Sequence, residues 1–395
     1  MLNRPVWAEI SIDRLIDNYR LLRSAAGDAG LIAVIKANAY GHGALACAAA
    51  LSAAGAPWLG VTSAEEGASV REACPDARIL VMAGLWEREA DTAIEQRLTP
   101  VVWELAHLEW LEAAAQLRGL PAQAIAVHLE IDTGMARQGV RLTELPVLLE
   151  RFRAAKSLSI EGVMTHFHSP EFLDDKATAA QLEQFDSAME IIASHGFRPI
   201  VIHAGNSATL LAGEGAERLV ALAEKHGASS MLRPGLALYG YAPRFTGELS
   251  SAVAEKLKPV LAWKTRIVSL RTIEPRESAG YCATFHARRR SRLALLPVGY
   301  ADGFNRLLSN RGEVLVRGRK VPIVGRISMD LTIVDVTDVE TVELGDEVVL
   351  IGEQGAEQIT AYHHSDLAQT IPYETLCDIN ARVPRITVDS RKDHA

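Results

Sequence analysis

Between Leu31 and Tyr241 the chain alternates short apolar runs, rich in β-branched residues, with stretches that repeat apolar positions at helical spacing. The runs begin at Leu31 (LIAVIKA), Trp58 (WLGV), Arg78 (RILVMAG), Leu98 (LTPVVW), Ile125 (IAVHLEI), Leu158 (LSIEGVMTHF), Pro199 (PIVIHAG) and Met231 (MLRPGLALYG). Amphipathic segments such as SAEEGASVREAC and DDKATAAQLEQFDSAMEIIASHG fill the gaps. Eight strands alternating with helices give the rhythm of a parallel (β/α)8 TIM-like barrel. A doubly wound open sheet shares the alternation, but no GxGxxG follows the first run, so the barrel is the expectation.

Past Tyr241 the long helical stretches give way to strands bounded by turn residues: WKTRIVSL, RLALLPVGY, EVLVRG, LTIVDV and DEVVLIG. The pattern predicts an α/β barrel domain over residues 1–242 and a mainly β domain over 243–395, with APRFTGELSSAVAEKLKP as the bridge. The early EISIDRL stretch is ambiguous and pairs with either domain.

Composition narrows the class. With 395 residues, 48% of them hydrophobic and 23% charged, the chain suits two globular domains with sizeable cores. The opening MLNRPVWAEISIDRL turns polar too early for a signal peptide, and no run approaches the roughly 20 apolar residues of a membrane span, so a cytoplasmic enzyme is expected. Cys47, Cys74, Cys282 and Cys377 have no CxxC pairing, which predicts reduced thiols rather than a disulfide framework or zinc site. A net charge of −8 argues against nucleic acid, and the basic run Arg288 to Arg292 reads as a solvated hairpin.

In a barrel, chemistry sits where strands end. The polar residues closing the apolar runs are Lys36, Glu130, Asp132, Arg137, His166, Asn206, Ser207 and Arg233. Lys36 ends LIAVIK ahead of a turn rich in Gly, Asn and Tyr, where desolvation favours a neutral amine able to form an imine. HAGNSAT (His203 to Thr209) puts Asn206 and Ser207 at a strand-to-helix turn, where side chains and free N–H groups suit phosphate oxygens. RPGLALYG (Arg233 to Gly240) adds a permanent guanidinium and, at Gly235, backbone a ligand can approach. Each piece alone also fits an N-cap or a turn.

Together these motifs identify the chain as a member of the alanine racemase family. AVIKANAYGHG resembles that family's lysine motif, and DTGMARQGVR, GVMTHF, HAGNSAT, RPGLALYG, GYCATF, PVGYADGF, GRISMD and PYETLCDINARVPR resemble its other motifs in the same order. The resemblance implies pyridoxal 5'-phosphate as cofactor, interconversion of L- and D-alanine for peptidoglycan, and a head-to-tail homodimer whose active sites are shared between subunits. It makes Lys36 the Schiff-base lysine and Tyr281 the opposed acid/base. Tyr40, Asn206, Ser207, Gly235, Leu236 and Tyr373 become phosphate-side residues, and Arg233 faces the pyridine nitrogen. His203 supports the site, His166 hydrogen-bonds the catalytic tyrosine, Arg137 and the Met329 backbone meet the substrate carboxylate, and Tyr300 with Asp330 lines the entrance. Inversion at Cα needs a base on one face and an acid on the other, which Lys36 and Tyr281 supply.

Two departures from the family pattern carry expectations. Cys282 follows the catalytic tyrosine where glycine is common, which the turn tolerates if its φ is negative. Glu130 stands where many members carry a carbamylated lysine, and is expected to be an ionised anion that orients Arg137, its pKa lowered by that guanidinium.

Other readings stay in play. Racemisation of serine or another small amino acid remains open, because pocket size is not legible in sequence. A related barrel decarboxylase shares the two-domain plan but needs a triple-glycine loop and a late acidic/cysteine motif that are absent. A metal-dependent barrel hydrolase is suggested by His166 and His168 on one strand face, though HxH in that architecture closes the first strand. A non-enzymatic cofactor carrier would lack the β domain that brings Tyr281.

Overall fold

The computed structural model describes residues 4–173, 176–246 and 251–389. They fall into two units. One comprises the N-terminal segment through Arg14, Tyr40–Gly43 and the chain from Pro259 on; the other comprises Leu15–Ala39 and Ala44–Lys258.

The first strand, β1 (Val6–Ser11), is followed by eight that close into a parallel barrel: β2 (Gly30–Val34), β3 (Trp58–Val61), β4 (Arg78–Val81), β5 (Thr99–Val102), β6 (Ile125–Glu130), β7 (Leu158–Met164), β8 (Val201–His203) and β9 (Ser229–Leu232). Every one of the eight apolar runs becomes a barrel strand. The reason is burial on both faces: β3 and β5 are buried at every position, so their sequences read as continuous apolar runs rather than alternating ones. Helices such as Ala64–Ala73 and Ala177–Ser194 return the chain between strands, the first capped by Ser63, whose Oγ accepts the Glu66 N–H at 3.2 Å.

The other unit is mainly β. Its larger sheet runs Arg319–Pro322, Glu313–Val316, Glu347–Gln354, Leu261–Arg266, β1 and Arg385–Val388, with Glu357–Ile359 on Glu347–Gln354. The early ambiguous segment therefore joins this sheet, β1 lying antiparallel to Leu261–Arg266 and parallel to Arg385–Val388. A second sheet orders Ser269–Ile273, Ser291–Leu296 and Thr332–Asp335. WKTRIVSL, expected as one strand, is two. Ile267 N–H bonds Asp346 O while Val268 N–H bonds Leu295 O, so the chain changes sheets at a corner between them. Ser291–Leu296 stops before Pro297, which has no N–H for a ladder. Within the basic run, Arg289 pairs with Asp338 and Arg290 with Glu274, while Arg292 donates to Val342 O at 2.6 Å.

Among the described residues no helix is long and apolar enough to cross a membrane.

Candidate active site

Lys36 follows the end of β2 by two residues and is half-buried. The backbone after it is unusual. Ala37, Asn38, Ala39 and Tyr40 all have φ between 52° and 55°, a left-handed turn made without glycine. Each such residue costs about 1–2 kcal/mol, so the surroundings must hold the turn. Within the barrel unit they do: Glu66 accepts the Ala37 N–H at 2.8 Å, Asn38 Oδ1 accepts the Ala44 N–H at 2.8 Å, and Ile35 O accepts the Ala39 N–H at 2.8 Å. Glu66 is itself fixed by the Thr62 N–H and hydroxyl, at 2.9 and 2.8 Å. The sequence suggested a turn here but gave no sign of its hand, since alanine does not favour it.

Arg233, past the end of β9 and 4% exposed, is the hub of the barrel mouth. Its Nη1 donates to His203 Nδ1 at 3.1 Å, and its Nη2 to Thr165 O at 2.8 Å and His166 Nδ1 at 2.9 Å. Burial pulls the guanidinium down to about 10, against the neighbouring Glu130 charge, so it keeps its proton at neutral pH. Burial, then the charges of Arg233, Arg137 and Lys36, push His166 down to about 3. A neutral His166 that accepts at Nδ1 must carry its proton on Nε2, a donor for whatever lies beyond. His166 and His168 lie past the end of β7, not on a strand as expected, and His168 turns to Ser169. Among the described residues no group of three or more His, Cys, Asp or Glu is placed to hold a metal ion.

Glu130, the last residue of β6, is 1% exposed. Gln138 Nε2 donates to its Oε2 at 2.5 Å and to Met82 O at 3.0 Å. One expectation fails here. Gln138 supplies the hydrogen bond to this carboxylate, and its pKa goes up to about 7 rather than down, because burial outweighs the Gln138 bond and the Arg233 and Arg137 charges. Asp132 is a turn former: its Oδ1 accepts the Gly134 and Ala136 N–H groups at 2.9 and 3.0 Å. Arg137 stands exposed on that loop.

The expected phosphate cradle is partly satisfied from within. Asn206 caps the helix Ser207–Ala212, its Oδ1 accepting the Ala208 and Thr209 N–H groups at 2.8 and 3.4 Å, so those amides are not open to a ligand. Ser207 Oγ accepts the Gly235 and Ala237 N–H groups at 3.1 and 3.2 Å, just ahead of and within the short helix Leu236–Tyr239. With both lone pairs taken, the hydroxyl has a proton to give, which suits an anion.

In the β unit, Tyr40 and Tyr373 sit together, ring centroids 6.1 Å apart, with Tyr373 in the first turn of Pro372–Cys377. Burial, then Tyr373 and Cys377, raise the Tyr40 phenol, so it is a neutral donor. Around the expected entrance, Tyr300 N–H bonds Ser328 O at 3.1 Å and Ala301 N–H bonds Met329 O at 3.0 Å, and Arg382 holds Asp330 at 2.6 Å. Tyr281 is 70% exposed. Cys282 beside it has φ of 60°, not the negative value expected, and Ala283 has 48°, so the turn keeps the left-handed backbone that glycine favours. Arg326 Nη1 lies 3.4 Å from Cys282 Sγ.

The structure thus brings Glu130, His166, His203 and Arg233 together in the barrel unit, and Tyr40 with Tyr373 in the β unit. Gln138 was missed, although it lies in the DTGMARQGVR motif.

Residues 10–243 match the family description "Alanine racemase, N-terminal domain", and residues 260–387 match "Alanine racemase, C-terminal domain". An alanine racemase of Symbiobacterium thermophilum is 39% identical over 382 residues, covering 97% of each chain. The crystal structure of alanine racemase from D-cycloserine-producing Streptomyces lavendulae superposes with a TM-score of 0.88 at 32% identity, covering 100% of both chains. That of the Bartonella henselae enzyme, with covalently bound pyridoxal phosphate, gives 0.83 at 28% identity over 97% of this chain and 99% of that one.

Proposed function

Because this chain belongs to the alanine racemase family of enzymes, we propose that it interconverts L- and D-alanine by two-base proton transfer at Cα on pyridoxal 5'-phosphate held by Lys36. The observation that carries the cofactor reading is the donor set at the barrel mouth. It combines a half-buried strand-end amine, a buried guanidinium flanked by neutral imidazoles, and a serine hydroxyl with its proton to give. That set fits an aromatic aldehyde phosphate. Ser207 would donate to the phosphate, with Tyr40 and Tyr373 as further hydroxyls and Asn206, Gly235 and Leu236 shaping the turn.

When bound, the cofactor acidifies the Cα–H of the attached amino acid. Lys36 Nζ takes or returns the proton on one face. Tyr281 Oη does so on the other, and its exposure in its own chain supports the reading that it serves the site of a second subunit in a homodimer. His166 Nε2–H would donate to that tyrosine oxygen. Arg233, which keeps its proton, would leave the pyridine nitrogen without one and so restrain transamination. Arg137 and the Met329 backbone would take the substrate carboxylate, with Tyr300 and Asp330 at the entrance. The D-alanine formed would serve peptidoglycan synthesis in the cytoplasm.

Borohydride reduction of the loaded enzyme, followed by peptide mapping, is expected to find the pyridoxyl group on Lys36. A label on any other lysine would remove the assignment.

Glu130 adds a pH dependence. Protonated below about 7 and ionised above it, the carboxyl presents a negative charge to Arg137 and Arg233 only on the alkaline side. The KM for alanine is expected to fall as pH rises from 6 to 8, by a few-fold, and Glu130→Gln should flatten that profile. A Gln variant with the same slope would assign the titration to another group.

A further inference from the structure

The polar contacts at Arg233 do not stop at His203. His203 Nε2 lies 2.7 Å from His128 Nδ1, and His128 Nε2 lies 3.6 Å from Glu161 Oε2. Arg78, the first residue of β4, closes the line with Nη1 and Nη2 at 2.8 and 2.5 Å from the two Glu161 oxygens, its guanidinium 3.9 Å over the Trp58 ring. The line therefore runs the length of the barrel interior, from the start of β4 to the residue after β9. His128 and His203 are both 0% exposed.

Elementary donor counting fixes every proton on it. A guanidinium only donates, so His203 Nδ1 must accept and its proton sits on Nε2; His128 Nδ1 must then accept, and its proton sits on Nε2 facing Glu161. Burial lowers both imidazoles, keeping them neutral. Burial would raise Glu161, but the two Arg78 hydrogen bonds and the guanidinium charge, with the His128 N–H turned toward it at 3.6 Å, outweigh it and hold the carboxyl at about 2, so the line ends in an anion. The fold makes room for it. Register slips between β6 and β7, Val127 facing Ile160 and His128 facing Gly162, which leaves Glu161 as the extra residue of a bulge. A Cβ on Gly162 would lie 2.7 Å from the His128 ring, so glycine is what lets the imidazole into the line.

We propose that His128 and Glu161 are positioning residues for Arg233, which act through His203 by fixing its tautomer so that Nδ1 always faces the guanidinium. Without His128, His203 loses the acceptor that pins its proton to Nε2, and Arg233 loses a guaranteed partner inside the barrel. The alternative is that Glu161 and Arg78 are only a clamp across β4 and β7.

The inference rests on the reading of Arg233 as the cofactor-facing arginine, and the test separates the two. In apoprotein labelled with 15N-histidine, the resonances lost in His128→Asn and His203→Asn should show Nε2-protonated neutral rings; an Nδ1-protonated ring at either position overturns the relay, whatever the cofactor does. In the loaded enzyme, the pyruvate released per D-alanine formed reports how well Arg233 restrains transamination. His128→Phe and Glu161→Gln are expected to raise that ratio and the cofactor dissociation constant on the order of tenfold, and His128→Asn, whose Oδ1 replaces Nδ1 as acceptor, to restore most of both. Arg78→Gln should lower the melting temperature and leave the ratio alone. If Glu161→Gln matches Arg78→Gln in both readouts, the pair is a clamp and the proposal fails, and Glu161→Gln decides this even where His128→Phe does not fold. If wild-type enzyme forms no D-alanine while the tautomers are as stated, the functional reading fails and the relay stands.

Discussion

Tyr281→Phe is expected to lower alanine racemisation at least about 10³-fold while cofactor loading stays normal, since a positioned acid/base group is worth roughly 10²–10⁴ and no other phenol replaces it. Lys36→Ala should be equally inactive and should also lose the covalent cofactor bond. The informative experiment joins them. In a dimer of one Lys36→Ala and one Tyr281→Phe subunit, the site that takes Lys36 from the second and Tyr281 from the first is whole, and its twin lacks both groups. Random exchange makes about half of all dimers mixed, so about one quarter of sites should work. Heterodimers isolated with two affinity tags should reach about half of wild-type activity. An inactive heterodimer would put Tyr281 in the site of its own chain, and an active Tyr281→Phe homodimer would remove it from the chemistry.

What the sequence made legible follows from how local each signal was. The barrel strands were read in place because burial on both faces writes itself as uninterrupted apolar runs, as in β3 and β5. WKTRIVSL was misread because the corner at Ile267–Val268 is set by partners at Asp346 and Leu295, distant in sequence. In the site, residue types were legible and their states were not. Glu130 was expected to be acidified by Arg137, yet its pKa depends on burial in the closed barrel, a property of the assembled fold. His128 and Glu161 sat unremarked inside strand runs, because only the β6–β7 bulge aligns them with His203 and Arg233. Cys282 shows the same limit from the other side: a residue with a Cβ was expected to need negative φ, and the turn instead holds it at 60°.

Gly41→Ala is expected to destabilise the β unit by more than about 3 kcal/mol and to weaken cofactor retention with it. Gly41 follows the left-handed run Ala37–Tyr40 and has φ of 81°. A left-handed alanine alone costs about 1 kcal/mol relative to glycine, which the neighbouring alanines show to be tolerable. Space is the larger obstacle. A Cβ on Gly41 would stand 2.1 Å from the Leu376 carbonyl oxygen and 3.0 Å from its carbon, atoms of backbone that cannot rotate aside. The clash must move the helix Pro372–Cys377, which carries Tyr373, and overpacking of this kind costs roughly 1–3 kcal/mol or more. The Arg385 Nε bond to Gly41 O, at 2.9 Å, ties the same turn to the strand Arg385–Val388 and would be strained with it. Thermal unfolding followed by circular dichroism should show the drop, and fluorescence titration with pyridoxal 5'-phosphate should show weaker binding. Gly55→Ala, at φ of 90° with nothing within 4 Å of the new Cβ, is the control that bears the backbone cost alone. Equal losses in the two variants would show that left-handed strain, not the approach to Leu376, is what glycine is there to relieve.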